Sequence, residues 1–186
     1  MVKTLSTMIP LGTIAPDFTL LEPKSGEYKG LSEYRGNSAT VVMFICNHCP
    51  FVKHITSELV LLAKDYQTQG ISFIAINSND VDVYPDDSPE NMVLEATKHG
   101  YSFPYLFDET QNVARAYHAV CTPDFFVFDN NLACVYRGQL DDSRPGNDIA
   151  LSGSDIRAAL NAVITGNLVP ELQKPSVGCN IKWKNC

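Results

Sequence analysis

The chain predicts an α/β layer sandwich built on a mixed central sheet, and three observations carry that expectation. Ala39-Thr40-Val41-Val42-Met43-Phe44-Ile45 is a continuous β-branched and apolar run, the pattern of a strand buried on both faces. Phe51, Ile55, Leu59, Leu62 and Tyr66 then recur at helical spacing in a stretch reaching Gln69, and Ile71–Ile76 reads as a second core strand. Strand, long helix and strand in that order form a right-handed parallel crossover. Further on, Asp124–Asp129 and Leu132–Arg137 flank Asn130-Asn131 as a hairpin, so parallel and antiparallel strands share one sheet.

The remaining elements follow in order. Residues 1–17 are a lead-in broken by Pro10 and Pro16. Phe18–Leu21 reads as a short strand, Pro23–Gly30 as a turn-rich connection and Leu31–Gly36 as one helical turn. Pro50 suits the first turn of the long helix and Gly70 its stop. Asp80–Pro89 is an acidic loop, with Ser88 as an N-cap and Pro89 opening a helix over Asn91–His99. Phe103–Phe107 is β-like and Thr110–Tyr117 a short helix. After a Gly-, Asp- and Ser-rich stretch over 138–153, Ser154–Thr165 reads as a helix capped near Ser154 or Asp155. Residues 166–186 are expected to be a mobile C-terminal tail of a single domain spanning 1–186.

The 186 residues are 45% hydrophobic and 19% charged, enough to bury a core without covalent staples. A net charge of −7 disfavours nucleic acid and anionic membranes as partners. No apolar run approaches the roughly 18–20 residues of a membrane span. The N-terminal stretch lacks the apolar core and cleavage site of a signal peptide, so the cytosol is the expected compartment.

The chemistry is concentrated in thiols at 46, 49, 121, 134, 179 and 186. Cys46-Asn47-His48-Cys49 stands where the first core strand gives way to the long helix. Free N–H groups and the helix dipole favour an anion there, and a cysteine so placed has a pKa lowered to roughly 3.5–7.5. Cys46 is therefore expected as the exposed nucleophile. Cys49, one turn inside on the same helix face, would close the disulfide. His48 either steadies the Cys46 thiolate when protonated or is an exposed loop residue. Cys121 is a resolving thiol or a small core residue, and Cys134 belongs to core or surface. The tail thiols Cys179 and Cys186 are placed to reach Cys46 and resolve a sulfenic acid. Arg144 offers either positive charge near the thiolate or a solvated loop cation. The acidic loop over 80–87 lacks the Gly and distal Glu of an EF-hand and reads as solvated. Thr122-Pro123 precedes a strand, and a cis bond there would leave backbone open for a substrate to pair with.

These residues bring out a resemblance. Gly12-x-x-Ala15-Pro16-Asp17-Phe18-x-Leu20, the strand into Cys46-Asn47-His48-Cys49-Pro50, and Thr122-Pro123 resemble the redoxin branch of the thioredoxin superfamily over roughly 10–165. Arg137–Pro145 and Gly178-Cys179-x-Ile181-Lys182-Trp183 are similar to its peroxiredoxin-like (AhpC/TSA-type) members that keep a CxxC. The resemblance implies a thioredoxin-like three-layer α/β/α sandwich, with Pro123 as a cis-proline facing the cysteine pair. It implies a thiol–disulfide oxidoreductase using Cys46 and Cys49, with no metal or organic cofactor. A thiol peroxidase with Cys46 as the peroxidatic cysteine is the alternative. Against it stands Met43, which fills the position where peroxiredoxins carry an activating hydroxyl. The chain also resembles thioredoxin-fold copper chaperones, whose two cysteines are usually one residue further apart; that resemblance implies a copper or zinc carrier. The partners implied are a thiol or disulfide protein, or a small disulfide or peroxide, acting on a monomer or homodimer.

Overall fold

The structure, a computed structural model, describes residues 3–185. Its strands are β1 (Lys3–Leu5), β2 (Thr19–Glu22), β3 (Glu27–Gly30), β4 (Ala39–Phe44), β5 (Ile71–Asn77), β6 (Tyr105–Phe107), β7 (Cys121–Thr122), β8 (Asp124–Asp129), β9 (Cys134–Gly138) and β10 (Val177–Asn180). Its α-helices are α1 (Pro50–Tyr66), α2 (Pro89–His99), α3 (Asn112–Ala116) and α4 (Ser154–Ile164).

Among the described residues the main sheet runs β3-β2-β6-β5-β4-β8-β9. β4 pairs in parallel with β5 and antiparallel with β8, and β5 pairs in parallel with β6. The sheet is therefore mixed, as expected, and β4 at its centre is buried at every position. Side chains alternate across a strand, and both faces are covered. Val41 and Met43 join Val52, Ile55 and Leu59 of α1, Met92 of α2 and Leu160 of α4 in one apolar cluster. Val42 and Phe44 point into the other, with Phe126, Phe128, Ala114 of α3 and Tyr117. Each such side chain, fully buried, contributes about 1.5–3 kcal/mol. The result is a thioredoxin-like α/β fold with helices on both faces.

Local chemistry sets the boundaries of the crossover helix. Pro50 occupies the first turn of α1, where no backbone N–H is needed. A 3₁₀ turn over Gln67–Gln69 follows and closes at Gly70, whose φ of 80° suits a residue without Cβ. Ser88 caps α2 by accepting a hydrogen bond from the Asn91 N–H.

Four expectations change. The connection over 23–30 contains an edge strand, β3, which hairpins onto β2 through a turn at Gly26. Its charged residues obscured a β pattern. α3 is shorter than Thr110–Tyr117, because Gln111 takes a left-handed φ of 63° and the helix begins after it. Gly153, not Ser154 or Asp155, is the N-cap of α4. The C-terminal segment is anchored rather than mobile: β10 lies between β1 and β7 in a second, antiparallel sheet that pairs Cys179 with both Lys3 and Thr122. Cys186 lies outside the described residues.

Candidate active site

Parallel strands deliver the loops that follow them to one end of a sheet. The loop after β4 carries Cys46-Asn47-His48-Cys49, and the loop after β5 carries 78–88, so the two meet. The helix begins only at Pro50, which makes Cys49 the N-cap and leaves Cys46 in the turn before it. The two cysteines therefore do not share a helix face. Pro50 was the signal for this boundary.

Cys46 is 2% exposed and Cys49 fully buried, so the expected open thiol is instead a sheltered one. Thr122 faces both. Its Oγ1 lies 3.3 Å from the Cys46 sulfur, and its carbonyl oxygen lies 3.3 Å from the Cys49 sulfur. The Thr122–Pro123 bond is cis. The backbone edge beside it is not open, because β10 pairs along it. Cys179, opposite Thr122 in that pairing, places its sulfur 2.7 Å from that of Cys49.

Three sulfurs thus share one buried cluster, and the negative charge belongs on the middle one. The Cys49 sulfur is flanked by the Cys46 and Cys179 side chains and by the Val52 and Cys179 backbone, and their hydrogen-bonding capacity favours its ionised form. Together these outweigh burial and pull the Cys49 thiol down to about 5. Burial raises Cys46 well above the usual thiol range, and the Cys49 and Asp87 charges add to it. Burial likewise pushes Cys179 up to about 12. The expected lowering of Cys46 by the helix terminus is not found: Cys49, the residue at the cap, is the one lowered, chiefly by the Cys46 side chain and then by Cys179 and the Val52 backbone.

Asp87 organises the other side of the site. Its Oδ1 accepts the Asn47 N–H at 2.7 Å, and its Oδ2 accepts from Asn79 at 2.7 Å and lies 2.6 Å from His48 Nδ1. Burial works to raise this carboxyl, but the hydrogen bonds from His48 and Asn79, with the His48 charge and the Asn47 N–H, hold it below the usual range. The His48 ring stacks on Tyr84 at 5.2 Å, so His48 is a fixed group and not a free loop residue. The acidic loop, read as solvated, supplies this anchor from a fully buried residue. Its position after the strand parallel to β4 is the one signal that pointed there.

The other named residues sit apart from the sulfur cluster. The Cys121 sulfur points at the Pro123 carbonyl, 3.8 Å away, and burial raises its pKa strongly. Cys134 packs in the second core cluster. Arg144 spends its guanidinium on its own loop, donating to the carbonyls of Asp141 and Ser143 and to the Gln139 side chain, rather than turning it toward a thiolate. Cys46, His48 and Asp87 offer donor atoms within 4.8 Å of one another, a mixed set of the kind zinc accepts. The His48 and Asp87 donors are already hydrogen-bonded to each other. A polar cavity of about 460 Å³ opens beside this side of the site, lined by Asn47, His48, Lys53, Thr56 and residues of α2. No helix among the described residues is long and apolar enough to cross a membrane.

A fold of this topology, with thiols at the junction of its central strand and first helix, defines a thioredoxin-like, thiol-dependent oxidoreductase. The AhpC/TSA family model matches residues 11–137, and the chain belongs to the AhpC/TSA family. It is 30% identical over 130 residues to a thiol-disulfide oxidoreductase ResA from Geobacillus kaustophilus, covering 69% of this chain and 68% of that one. Among solved structures it is similar to an uncharacterised conserved protein from Geobacillus kaustophilus, with 59% identity, a TM-score of 0.98, and coverage of 100% of this chain and 98% of that chain. A hypothetical protein from Sinorhizobium meliloti is 47% identical with a TM-score of 0.96, over 98% of this chain and 100% of that one. A DsbE-type thiol:disulfide interchange protein from Chlorobium tepidum, at 19% identity and TM-score 0.67 over 84% of this chain and 99% of that chain, shares the fold.

Proposed function

We propose that the protein exchanges disulfides with a thiol or disulfide substrate through Cys46 and Cys49. One observation carries this reading: Cys46 and Cys49 lie together at the mouth of α1, with the Thr122 hydroxyl 3.3 Å from the first sulfur and its carbonyl oxygen 3.3 Å from the second. Similarity to a thiol-disulfide oxidoreductase over two thirds of the chain supports it.

The reaction balances with the dithiol alone. Cys46 attacks one sulfur of the substrate disulfide, and its proton passes by way of the neighbouring Cys49 thiolate to the departing substrate thiolate. Cys49 then attacks the Cys46 sulfur of the mixed disulfide and releases the second substrate thiolate. The protein ends with a Cys46–Cys49 disulfide, and the substrate is reduced by two electrons. The Thr122 hydroxyl, facing the Cys46 sulfur, steadies the thiolate formed there during attack. Cys46→Ser is expected to abolish reduction of insulin or of a small aromatic disulfide, and Cys49→Ser to trap a mixed disulfide on Cys46. Full activity in Cys46→Ser overturns the reading.

A second reading rests on the Thr122 hydroxyl. It stands 3.3 Å from the Cys46 sulfur, supplying from another strand the hydroxyl that Met43 does not. In a thiol peroxidase that hydroxyl would hold the peroxide oxygen. The Cys46 thiolate would take one oxygen as sulfenic acid and release an alcohol or water. Stopped-flow mixing of the reduced protein with hydrogen peroxide tests it. A rate no greater than that of an ordinary thiolate removes it.

A further inference from the structure

The backbone edge beside Thr122, where an extended substrate would pair, is occupied by the chain's own strand β10. Gly178 makes this approach possible: a Cβ there would fall 2.0 Å from the Thr122 carbonyl oxygen. The strand is fixed on its far side by β1, and Ser176 is held by hydrogen bonds exchanged with Ser6. Held this way, β10 brings Cys179 in where a substrate thiol would come, with its sulfur 2.7 Å from that of Cys49. Cys49 thus stands between two thiols, Cys46 on one side and Cys179 on the other.

We propose that Cys179 is a third catalytic thiol, which takes the disulfide from Cys46 by intramolecular exchange at Cys49. This rests on the reading that Cys46 and Cys49 carry out disulfide exchange. In the oxidised protein the Cys179 sulfur attacks the Cys49 sulfur of the Cys46–Cys49 bond. A Cys49–Cys179 bond forms and the Cys46–Cys49 bond breaks. The proton of Cys179 passes to Cys46, which leaves as a thiol. No electrons enter or leave, so no further reductant is needed. Thiol–disulfide exchange is reversible, so the relay runs in both directions.

Two consequences distinguish this from a simple dithiol. First, the oxidised protein regains a Cys46 thiol able to attack again, as a disulfide-shuffling enzyme requires and a single-disulfide reductase lacks. Second, a substrate finds the Thr122 edge closed by β10 and must reach Cys46 by another approach.

The test is disulfide mapping after mild oxidation with diamide, acid quenching and alkylation of remaining thiols, on the wild type, Cys46→Ser and Cys179→Ser. The expected result is a Cys49–Cys179 peptide in Cys46→Ser. In oxidised wild type, Cys46 should be alkylated in a fraction of molecules, and that fraction should fall at least tenfold in Cys179→Ser. Wild type that yields Cys46–Cys49 alone, with Cys46→Ser yielding no Cys49–Cys179 peptide, overturns the relay and leaves the dithiol reading standing. A wild type that forms no Cys46–Cys49 bond and reduces no disulfide overturns the dithiol reading itself. To separate chemistry from misfolding, near-ultraviolet circular dichroism of each variant is recorded. If Cys46→Ser does not fold, the alkylated fraction of Cys46 in oxidised wild type decides alone, and its absence counts against the relay.

Discussion

Asp87 holds His48 by the ring: its Oδ2 lies 2.6 Å from His48 Nδ1, while its Oδ1 accepts the backbone N–H groups of Asn47 and His48. One buried carboxylate therefore fixes both the side chain between the cysteines and the turn that carries them. Asn77 and Asn79 tie it in turn to the end of β5, donating to its carbonyl and to Oδ2. The shape of the thiol turn is set by the neighbouring βα loop as well as by its own sequence.

Asp87→Asn keeps the volume and removes the charge. Several donors lose an ionised acceptor, so a loss of roughly 1–3 kcal/mol in chemical denaturation is expected. The pH dependence carries the sign. The carboxyl is held low in the folded protein, so its contribution is present above the unfolded carboxylate pKa and disappears as pH falls through the folded value. Stability curves of the wild type and Asp87→Asn should therefore begin to converge as pH falls below about 4, and go on doing so until the folded carboxyl is protonated. The Asp87 charge also raises Cys46, so alkylation of Cys46 in the variant should begin at lower pH. Parallel stability curves at all pH values would contradict the assignment.

The Cys49 thiolate gives a direct optical signal. Thiolate absorbance at 240 nm in the reduced protein should titrate with a midpoint near 5, and it should move upward in Cys46→Ala and in Cys179→Ala, which each remove a donor to it. The linked stability follows. The folded thiol is depressed relative to its unfolded value near 9, so the reduced protein gains stability from about pH 5 up to about pH 9 and loses it as pH falls back through 5. A midpoint near 9 would show that the cluster holds no anion.

How far the sequence reached can be judged from these residues. The Ala39–Phe44 run, the spacing from Ile55 to Tyr66 and the run from Ile71 encode the central βαβ unit through periodicity alone, and their boundaries moved by one to three residues, the largest shift being at the end of α1, where Gln67–Gln69 form a 3₁₀ turn. Cys46, Cys49 and Thr122-Pro123 were legible because a strand end, a helix start and a proline each leave a local mark. Which cysteine holds the charge was not. The dipole argument favoured Cys46, but Pro50 starts the helix later, and the groups that lower Cys49 are first Cys46 and then Cys179, which tertiary pairing brings in. Asp87 was hidden, and Cys179 was named only as a tail thiol reaching Cys46 and not as the neighbour of Cys49, for one reason: each reaches the site by tertiary pairing, from an acidic loop and from a four-residue strand too short to show a period.

Gly178 is where β10 is most sensitive. Gly178→Ala puts a methyl 2.0 Å from the Thr122 carbonyl oxygen, inside any tolerated contact, and both partners are backbone. The strand must shift away from β7, at a cost of about 1–3 kcal/mol for strain in a packed position. The sulfur of Cys179 would move with it. The measurement is amide hydrogen exchange over 176–181 in wild type and variant, where faster exchange is expected. Unchanged protection, with unchanged stability, would mean that the approach of β10 to Thr122 is looser than the structure has it.

Asp124 begins β8, immediately after the cis-proline, and its Oδ2 is the one buried side-chain nitrogen or oxygen left without a hydrogen bond among the described residues. Its Oδ1 accepts the Phe125 N–H at 3.1 Å, and the Ser6 and Ser176 hydroxyls face it. Burial outweighs these and raises the carboxyl well above its ordinary value, so it is protonated in the folded protein over a range where the unfolded chain is ionised. The unfolded state is then favoured as pH rises above the unfolded carboxylate pKa, at roughly 1.4 kcal/mol per pH unit until the folded group ionises. Asp124→Asn removes that penalty while keeping a planar group of the same size, whose amide can donate to hydroxyls that turn to accept. The variant should match the wild type near pH 4 and exceed it in stability at pH 7, with the gap widening as pH rises from 4 until the folded carboxyl ionises. A variant less stable than wild type at pH 7 by as much as at pH 4 would mean that Asp124 is ionised in the fold.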